Sequence, residues 1–426
     1  MNESIRGVLQ SKGVIQTAIT GFGNYSAAFL SAIAIILISR SLEPTLFGEF
    51  SAAFSLAMLL AKLNDAGLTI ASQKFASKSQ NKQEVKSFIY LGYKYKMYIS
   101  ITLLLVFLPL SPLLTSIFKF SNPFIVPISV SLGLLLVYYD QLVASLLATH
   151  SFLRASLVNL SQAGFKLLTA GALTFFLQKS LLPLIITFIG APGIPVLFTK
   201  FFEPKWFQRV TVVPLIDAKK TKYINLAKHS ALLVFILGVI DSIGVLFVKS
   251  FLDSYEAGLL GGISRIALLF TLIGVSLSQV LNNRVSRYTI KSDINAFIKK
   301  SLFLSVGMIF LWLATMPFLP LIINITIGPD YLVAKPALTV LLASVFMYII
   351  SVPFSALFFA FDNNKYFSLS GLIQLIAIVF GNYLLVPSYG IIGSAFAQLF
   401  SRLLLLIFTL CFAYYTYKNQ FYYNEK

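Results

Sequence analysis

The chain has 426 residues, 58% of them hydrophobic and 11% charged, and 33 Lys and Arg against 15 Asp and Glu leave a formal net charge of +18. Soluble domains carry about 25% charged and roughly 45–50% apolar residues, so a mean hydropathy of +0.85 lies outside that class. A soluble enzyme and a nucleic-acid-binding protein are both excluded, because neither buries runs such as Ile101 to Leu110. A bilayer accommodates such runs, and it accounts for the basic excess if Lys and Arg are held on one side of it.

In chain order, Met1 to Gln16 is polar, with Arg6 and Lys12, and reads as a short cytoplasmic tail leading into an uncleaved first span. A transmembrane helix needs roughly 20 mostly apolar residues. Twelve stretches qualify: 15–39, 47–70, 88–110, 124–148, 155–178, 181–199, 226–248, 256–281, 299–324, 337–361, 366–386 and 391–416. The weakest is 181–199, which is short and interrupted by Pro183, Pro192 and Pro195. With the N-terminus inside, 24 of the basic residues, among them Lys74, Lys78, Lys82, Lys86, Lys94 and Lys96, fall in inner segments. Only 5 (Arg40, Lys119, Lys179, Lys249 and Lys335) fall in outer ones, so the expected topology has both termini cytoplasmic. Cys411 is the single cysteine, so no intrachain disulfide and no Cys-based metal site is available.

Six spans per half would start and end each half on the same side, which allows a parallel duplication. Leu42-Glu43 and Gly48 recur as Leu252-Asp253 and Gly258, and Lys74 recurs as Arg284, both at an offset of 210. Leu108-Pro109-Leu110-Ser111-Pro112-Leu113 recurs as Met316-Pro317-Phe318-Leu319-Pro320-Leu321, and Gln162 as Gln374. The expected fold is an all-α polytopic membrane protein with 12 transmembrane helices in two parallel six-helix lobes around a central cavity. Residues 1–200 form the N-terminal lobe, 201–225 a cytoplasmic linker and 226–426 the C-terminal lobe. Phe201, Phe202, Trp206 and Phe207 beside Lys205 and Arg209 suggest a linker lying at the membrane surface, held by anionic lipid.

Ionisable side chains in hydrocarbon cost a few kcal/mol or more each and normally face a partner or a wet cavity. Seven qualify as lying within the hydrocarbon region, away from the ends of the spans: Lys62, Asp65, Asp140, Lys166, Asp241, Arg265 and Arg402. Lys62 and Asp65, at i and i+3, can pair on one helix face. Asp140 and Asp241 can carry a coupling proton or sodium ion, or balance a nearby base. Lys166 and Arg402 sit near the middle of their spans, too deep to snorkel, and Arg265 lies in the outer half of its span. A cationic lumen of Lys166, Arg402, Arg265 and Lys62 would attract an anion, above all a phosphate. Alternatively, Lys166 and Arg402 form interhelical ion pairs with Asp140 and Asp241. Asn24, Asn159, Gln162, Gln279 and Gln398 supply the polar lining that a wet lumen needs. No GxxxxGK[ST] loop is present, and His150 and His229 lack metal-site spacing, so neither enzymatic chemistry nor a cofactor is expected.

Three junctions carry a family likeness. Arg40-Ser41-Leu42-Glu43-Pro44-Thr45-Leu46-Phe47-Gly48 resembles the RxLxPxxFG junction of polysaccharide exporters in the multidrug/oligosaccharidyl-lipid/polysaccharide (MOP) superfamily. Gly328-Pro329-Asp330-Tyr331 with Ala334 is similar to their GxxYxxA start of helix ten. Pro387-Ser388-Tyr389-Gly390-Ile391-Ile392-Gly393-Ser394-Ala395 is similar to their PxYGIxGAA start of helix twelve, and Asp241 sits where such proteins often carry an aspartate. Within the superfamily the chain most resembles Wzx-type O-antigen flippases. The resemblance implies a bacterial inner-membrane protein that moves an undecaprenyl-diphosphate-linked oligosaccharide to the periplasmic leaflet by alternating access. The partners it implies are that polyprenyl-diphosphate-linked oligosaccharide, membrane lipids, and the polysaccharide polymerase and chain-length machinery, with no nucleic acid. The alternative in the same superfamily is a cation-coupled small-molecule or drug antiporter. The first span holds no charge, which departs from the Arg-rich pattern of lipid II flippases and from the helix-one carboxylate of typical cation-coupled exporters.

Overall fold

The computed structural model describes residues 12–176, 180–202, 217–285, 291–360 and 364–419, and among these the secondary structure is helical throughout. The first span lies in α1 (Lys12–Ser41). Pro44 opens α2 (Pro44–Asp65), a position where its missing N–H would have had no helical acceptor. At its far end Ala66 and Gly67 take positive φ, 43° and 73°, and the chain turns into α3 (Leu68–Lys78). Lys74 and Lys78 therefore lie on a helix rather than in a plain connecting segment. Leu68, Ala71, Ser72 and Ala76 are its buried face and the lysines its exposed one. At 11 residues this helix is too short to register against a span of bilayer length.

Asn81 caps α4 (Lys82–Phe107), accepting from the Gln83 N–H at 2.9 Å. Past Pro109 the chain continues as α5 (Ser111–Ile117), bent by 67°. Then follow α6 (Ile125–Ala148), α7 (Phe152–Phe176), α8 (Leu181–Gly190) and α9 (Gly193–Phe202). The last two are bent by 49° across Pro192, as the proline-rich sixth span requires. The chain then forms α10 (Asp217–Phe251), α11 (Ser254–Val285) and α12 (Lys291–Thr315). A 3-10 turn, Met316–Phe318, precedes α13 (Leu319–Thr326), and a second, Pro329–Ala334, leads into α14 (Lys335–Ala360). The chain ends in α15 (Asn364–Lys418), kinked at Gly390.

Among the described residues, eight helical stretches are long and apolar enough to cross a membrane, and up to ten if each bent pair is one span. Dividing α15 at its kink and adding the more polar α7 recovers the twelve expected spans. The third span of each half breaks at the repeated proline motif, α4 into α5 and α12 into α13. Two residues past the end of each short helix the chain takes positive φ, Lys119 at 48° and Gly328 at 109°. Helices α4, α10 and α12 begin six to nine residues before the apolar runs they contain, because hydropathy marks the hydrocarbon thickness and the helix runs on into the polar layer.

The chain divides into two compact units, residues 1–41 with 53–238, and 42–52 with 239–426. Of the linker expected at 201–225, residues 203–216, Trp206 among them, lie outside the described residues. In the first unit α1 packs on α7, α3 on α4 and α6, and α6 on α8. A core of Leu68, Ala71, Phe88, Ile89, Ala148 and Tyr223 ties α3, α4, α6 and α10 together. In the second unit α14 packs on α11, α12 and α15, with Val285, Ile294, Leu357, Phe358 and Ala413 at its centre. Apolar side chains also face outward, Leu105 at 73% and Phe303 at 82% exposure. That pattern suits a surface solvated by lipid rather than water.

Candidate functional site

Three helices of the first unit bring charges into one cluster. Lys62 of α2 reaches Asp140 of α6, Nζ to Oδ2 3.3 Å, and both side chains are about one-third exposed. The stem of Lys62 lies against the backbone of Gly238 in α10, where a side chain would displace it. One turn on from Lys62, Asp65 receives Lys96 of α4 at 2.8 Å. Lys96 also donates to Thr69 Oγ1 at 2.6 Å and to the Val137 carbonyl at 3.3 Å. Three acceptors thus meet the three N–H bonds of a wholly buried ammonium. Thr69 in turn donates to Asp65. Lys62 and Asp65 therefore each find a partner on another helix, beyond the spacing that would let them meet within α2. Lys96, expected in an inner connecting segment, is instead a core residue in the middle of α4.

A polar seam continues along α6 on either side of this pair. Asn64 donates to Ser100 at 2.7 Å and to the Leu134 carbonyl at 3.4 Å, and Tyr138 donates to Ser100 at 3.3 Å. At the other end, Ser72 and the Tyr223 hydroxyl lie 2.9 Å apart. Three of the expected lining residues also meet. Tyr139 donates to Asn159 Oδ1 at 2.6 Å, and Asn159 donates to Asn24 Oδ1 at 2.6 Å, joining α6, α7 and α1. Gln162 lies beside the Tyr139 hydroxyl. Lys166, further along α7, holds its ammonium 5.0 Å from the Phe188 ring centroid on α8, within cation–π range.

In the second unit Arg402 is positioned from two helices. Its Nη1 donates to Gln374 Oε1 at 2.9 Å, and its guanidinium carbon lies 4.7 Å from the Tyr348 ring centroid. Ser401 donates to the Gln374 carbonyl at 3.1 Å, fixing the same two turns of α15 against each other. The sequence singled out Gln374 only as the repeat counterpart of Gln162; nothing local in it showed a partner for Arg402. Arg265 and Gln398 are partly buried, on α11 and α15. The backbones of Asp241 and Gln279 are helical, and their side chains lie outside the described residues.

A second buried ion pair escaped the sequence reading. Glu49 of α2 meets Lys249 of α10, which also donates to Ser254; Ser254 donates to Glu49 at 2.7 Å. Lys249, expected in an outer segment, is wholly buried. The available signal was Glu49 itself, a carboxylate just inside an apolar run. Beside it Gly48 and Gly258, equivalent positions of the repeat, face each other's helix. A Cβ on Gly48 would overlap the Ser254 carbonyl oxygen, and one on Gly258 would overlap that of Pro44. Pro44 and Ser254 are themselves equivalent at the offset of 210, so the two copies of the motif meet with local two-fold symmetry.

In chemical terms, Lys166 and Arg402 are cations within spans that each lie over an aromatic ring, and Arg402 also donates to an amide. No protein-family model matches the chain, and no curated protein sequence matches it. By structure it is similar to an inward-facing multidrug resistance MATE family transporter of the MOP superfamily. The TM-score is 0.74 at 13% identity, covering 96% of this chain and 99% of that one. It is also similar to the lipid II flippase MurJ in an inward closed conformation, with a TM-score of 0.67, 16% identity and coverage of 95% and 90%. An outward-facing MATE transporter gives a TM-score of 0.63 at 13% identity, covering 95% of each chain. At these identities the likeness is one of fold, and the chain has the all-helical polytopic membrane fold that these MOP-superfamily transporters share.

Proposed function

We propose that the chain is a MOP-superfamily transporter, not an enzyme, and that it flips a polyprenyl-diphosphate-linked oligosaccharide of the O-antigen type across a bacterial inner membrane. The observation that carries this reading is Arg402, a guanidinium within a membrane-spanning helix that is oriented by Gln374 and Tyr348. A planar, permanently charged donor held in a fixed pose suits a diphosphate. Lys166, steadied over Phe188, is a further cation within a membrane-spanning helix. Asn24, Asn159 and Tyr139 offer donors and acceptors of the kind that sugar hydroxyls need. The test is genetic. In a strain lacking its own copy, the Lys166→Ala, Arg402→Ala double variant should reach the membrane yet abolish surface polysaccharide. Normal polysaccharide from that variant would sink the cationic-site reading.

A second reading is favoured by the similarity to drug transporters: a cation-coupled small-molecule antiporter. Asp140, about one-third exposed and paired with Lys62, would then be the coupling carboxylate. This reading expects drug resistance in a sensitised host that is lost with Asp140→Asn, and an unchanged surface polysaccharide.

A further inference from the structure

The second unit holds a cavity of about 410 Å³ between α11, α12 and α14, away from the charges considered above. Its apolar wall includes Leu281, Phe297 and Pro353, and its polar edge is Asp293, Lys300 and Ser301. Asp293 and Lys300 are both exposed and lie two helical turns apart on α12, so both reach the same cavity.

The order of chemistry along α12 is informative. Asp293 comes first, in the polar opening turns; Lys300 follows, where the polar stretch ends. Beyond it an outward apolar face begins with Phe303 (82% exposed), Val306 and Phe310. From the water inward, that sequence is carboxylate, ammonium, hydrocarbon. An aminophospholipid presents the complementary sequence from its own tip: ammonium, phosphate, acyl chain. A lipid with a net negative, amine-free headgroup would satisfy Lys300 but set its charge against Asp293.

We propose that this cavity is a headgroup site for a zwitterionic aminophospholipid of the phosphatidylethanolamine class. The phosphate sits at Lys300, the amine at Asp293, and the acyl chains lie along Phe303, Val306 and Phe310. The site is independent of what the protein transports. It can be tested on the purified full chain in nanodiscs holding equal mole fractions of phosphatidylethanolamine and phosphatidylglycerol, with retained lipid read by native mass spectrometry. The native protein should retain phosphatidylethanolamine in preference by about fivefold, the effect of one interfacial charge. Asp293→Lys, a change at an exposed position, should invert that preference. Lys300→Ala should weaken retention of both lipids, and glycerophosphoethanolamine, which lacks acyl chains, should not compete. Equal retention of the two lipids by the native chain would overturn the proposal, as would an unchanged preference in Asp293→Lys.

Discussion

At the scale of single residues, the charges buried between helices decide most. Asp65 and Lys96 form a closed arrangement in which every ammonium hydrogen has an acceptor. Removing one partner strands the other in a low-dielectric core, at a cost of about 3–5 kcal/mol, whereas replacing both with apolar groups is often nearly neutral. Lys96→Met should therefore lower the melting temperature in detergent sharply, and Asp65→Leu with Lys96→Met should recover most of the loss. Additive losses in that double-mutant cycle would show that the pair is not coupled. The glycine contact at Gly48 makes a second test. Gly48→Ala forces a methyl against the Ser254 backbone and should cost roughly 1–3 kcal/mol, while Gly307→Ala in α12, where a Cβ meets nothing within 4 Å, should cost little. Equal melting temperatures for the two variants would contradict the tight crossing. Neither feature was legible in the sequence. Asp65 and Lys96 are 31 positions apart, and Glu49 and Lys249 are 200 apart, so spacing along one helix could suggest only Lys62 with Asp65.

At the scale of elements, the spans were legible because their length is imposed from outside, by the thickness of the hydrocarbon layer. The break at Pro192 was legible as a proline interrupting a short span; those at Pro109 and Pro317 were legible only as a repeated motif, inside spans read as continuous. The amphipathic α3 was not legible, since half its residues are polar and it is shorter than a span. The kink within α15 rests on Gly390, at φ 60° and ψ −140°, a conformation that a residue with a Cβ reaches only under strain. Gly390→Ala should cost roughly 1–3 kcal/mol, read as a lower melting temperature with the overall helix content unchanged in circular dichroism. An unaltered melting temperature would mean that α15 tolerates a different break.

For the whole molecule, the asymmetry of basic residues predicts the sidedness. Cys411 is the single cysteine, so Cys411→Ser gives a background without thiols. Ser77→Cys on the exposed face of α3 should then be labelled by an impermeant maleimide only after the inner face of the membrane is opened. Labelling in intact spheroplasts would reverse the topology. The sequence by itself determined that this is an all-helical membrane protein of many spans. Those properties follow from partitioning between water and hydrocarbon, which acts on each segment locally and is summed along the chain. Only the tertiary structure decided which charges meet as buried pairs, Asp65 with Lys96 and Glu49 with Lys249, and that Gln374 and Tyr348 are among the groups that position Arg402. That choice depends on which helices touch, and burial raises the electrostatic stakes only once they do.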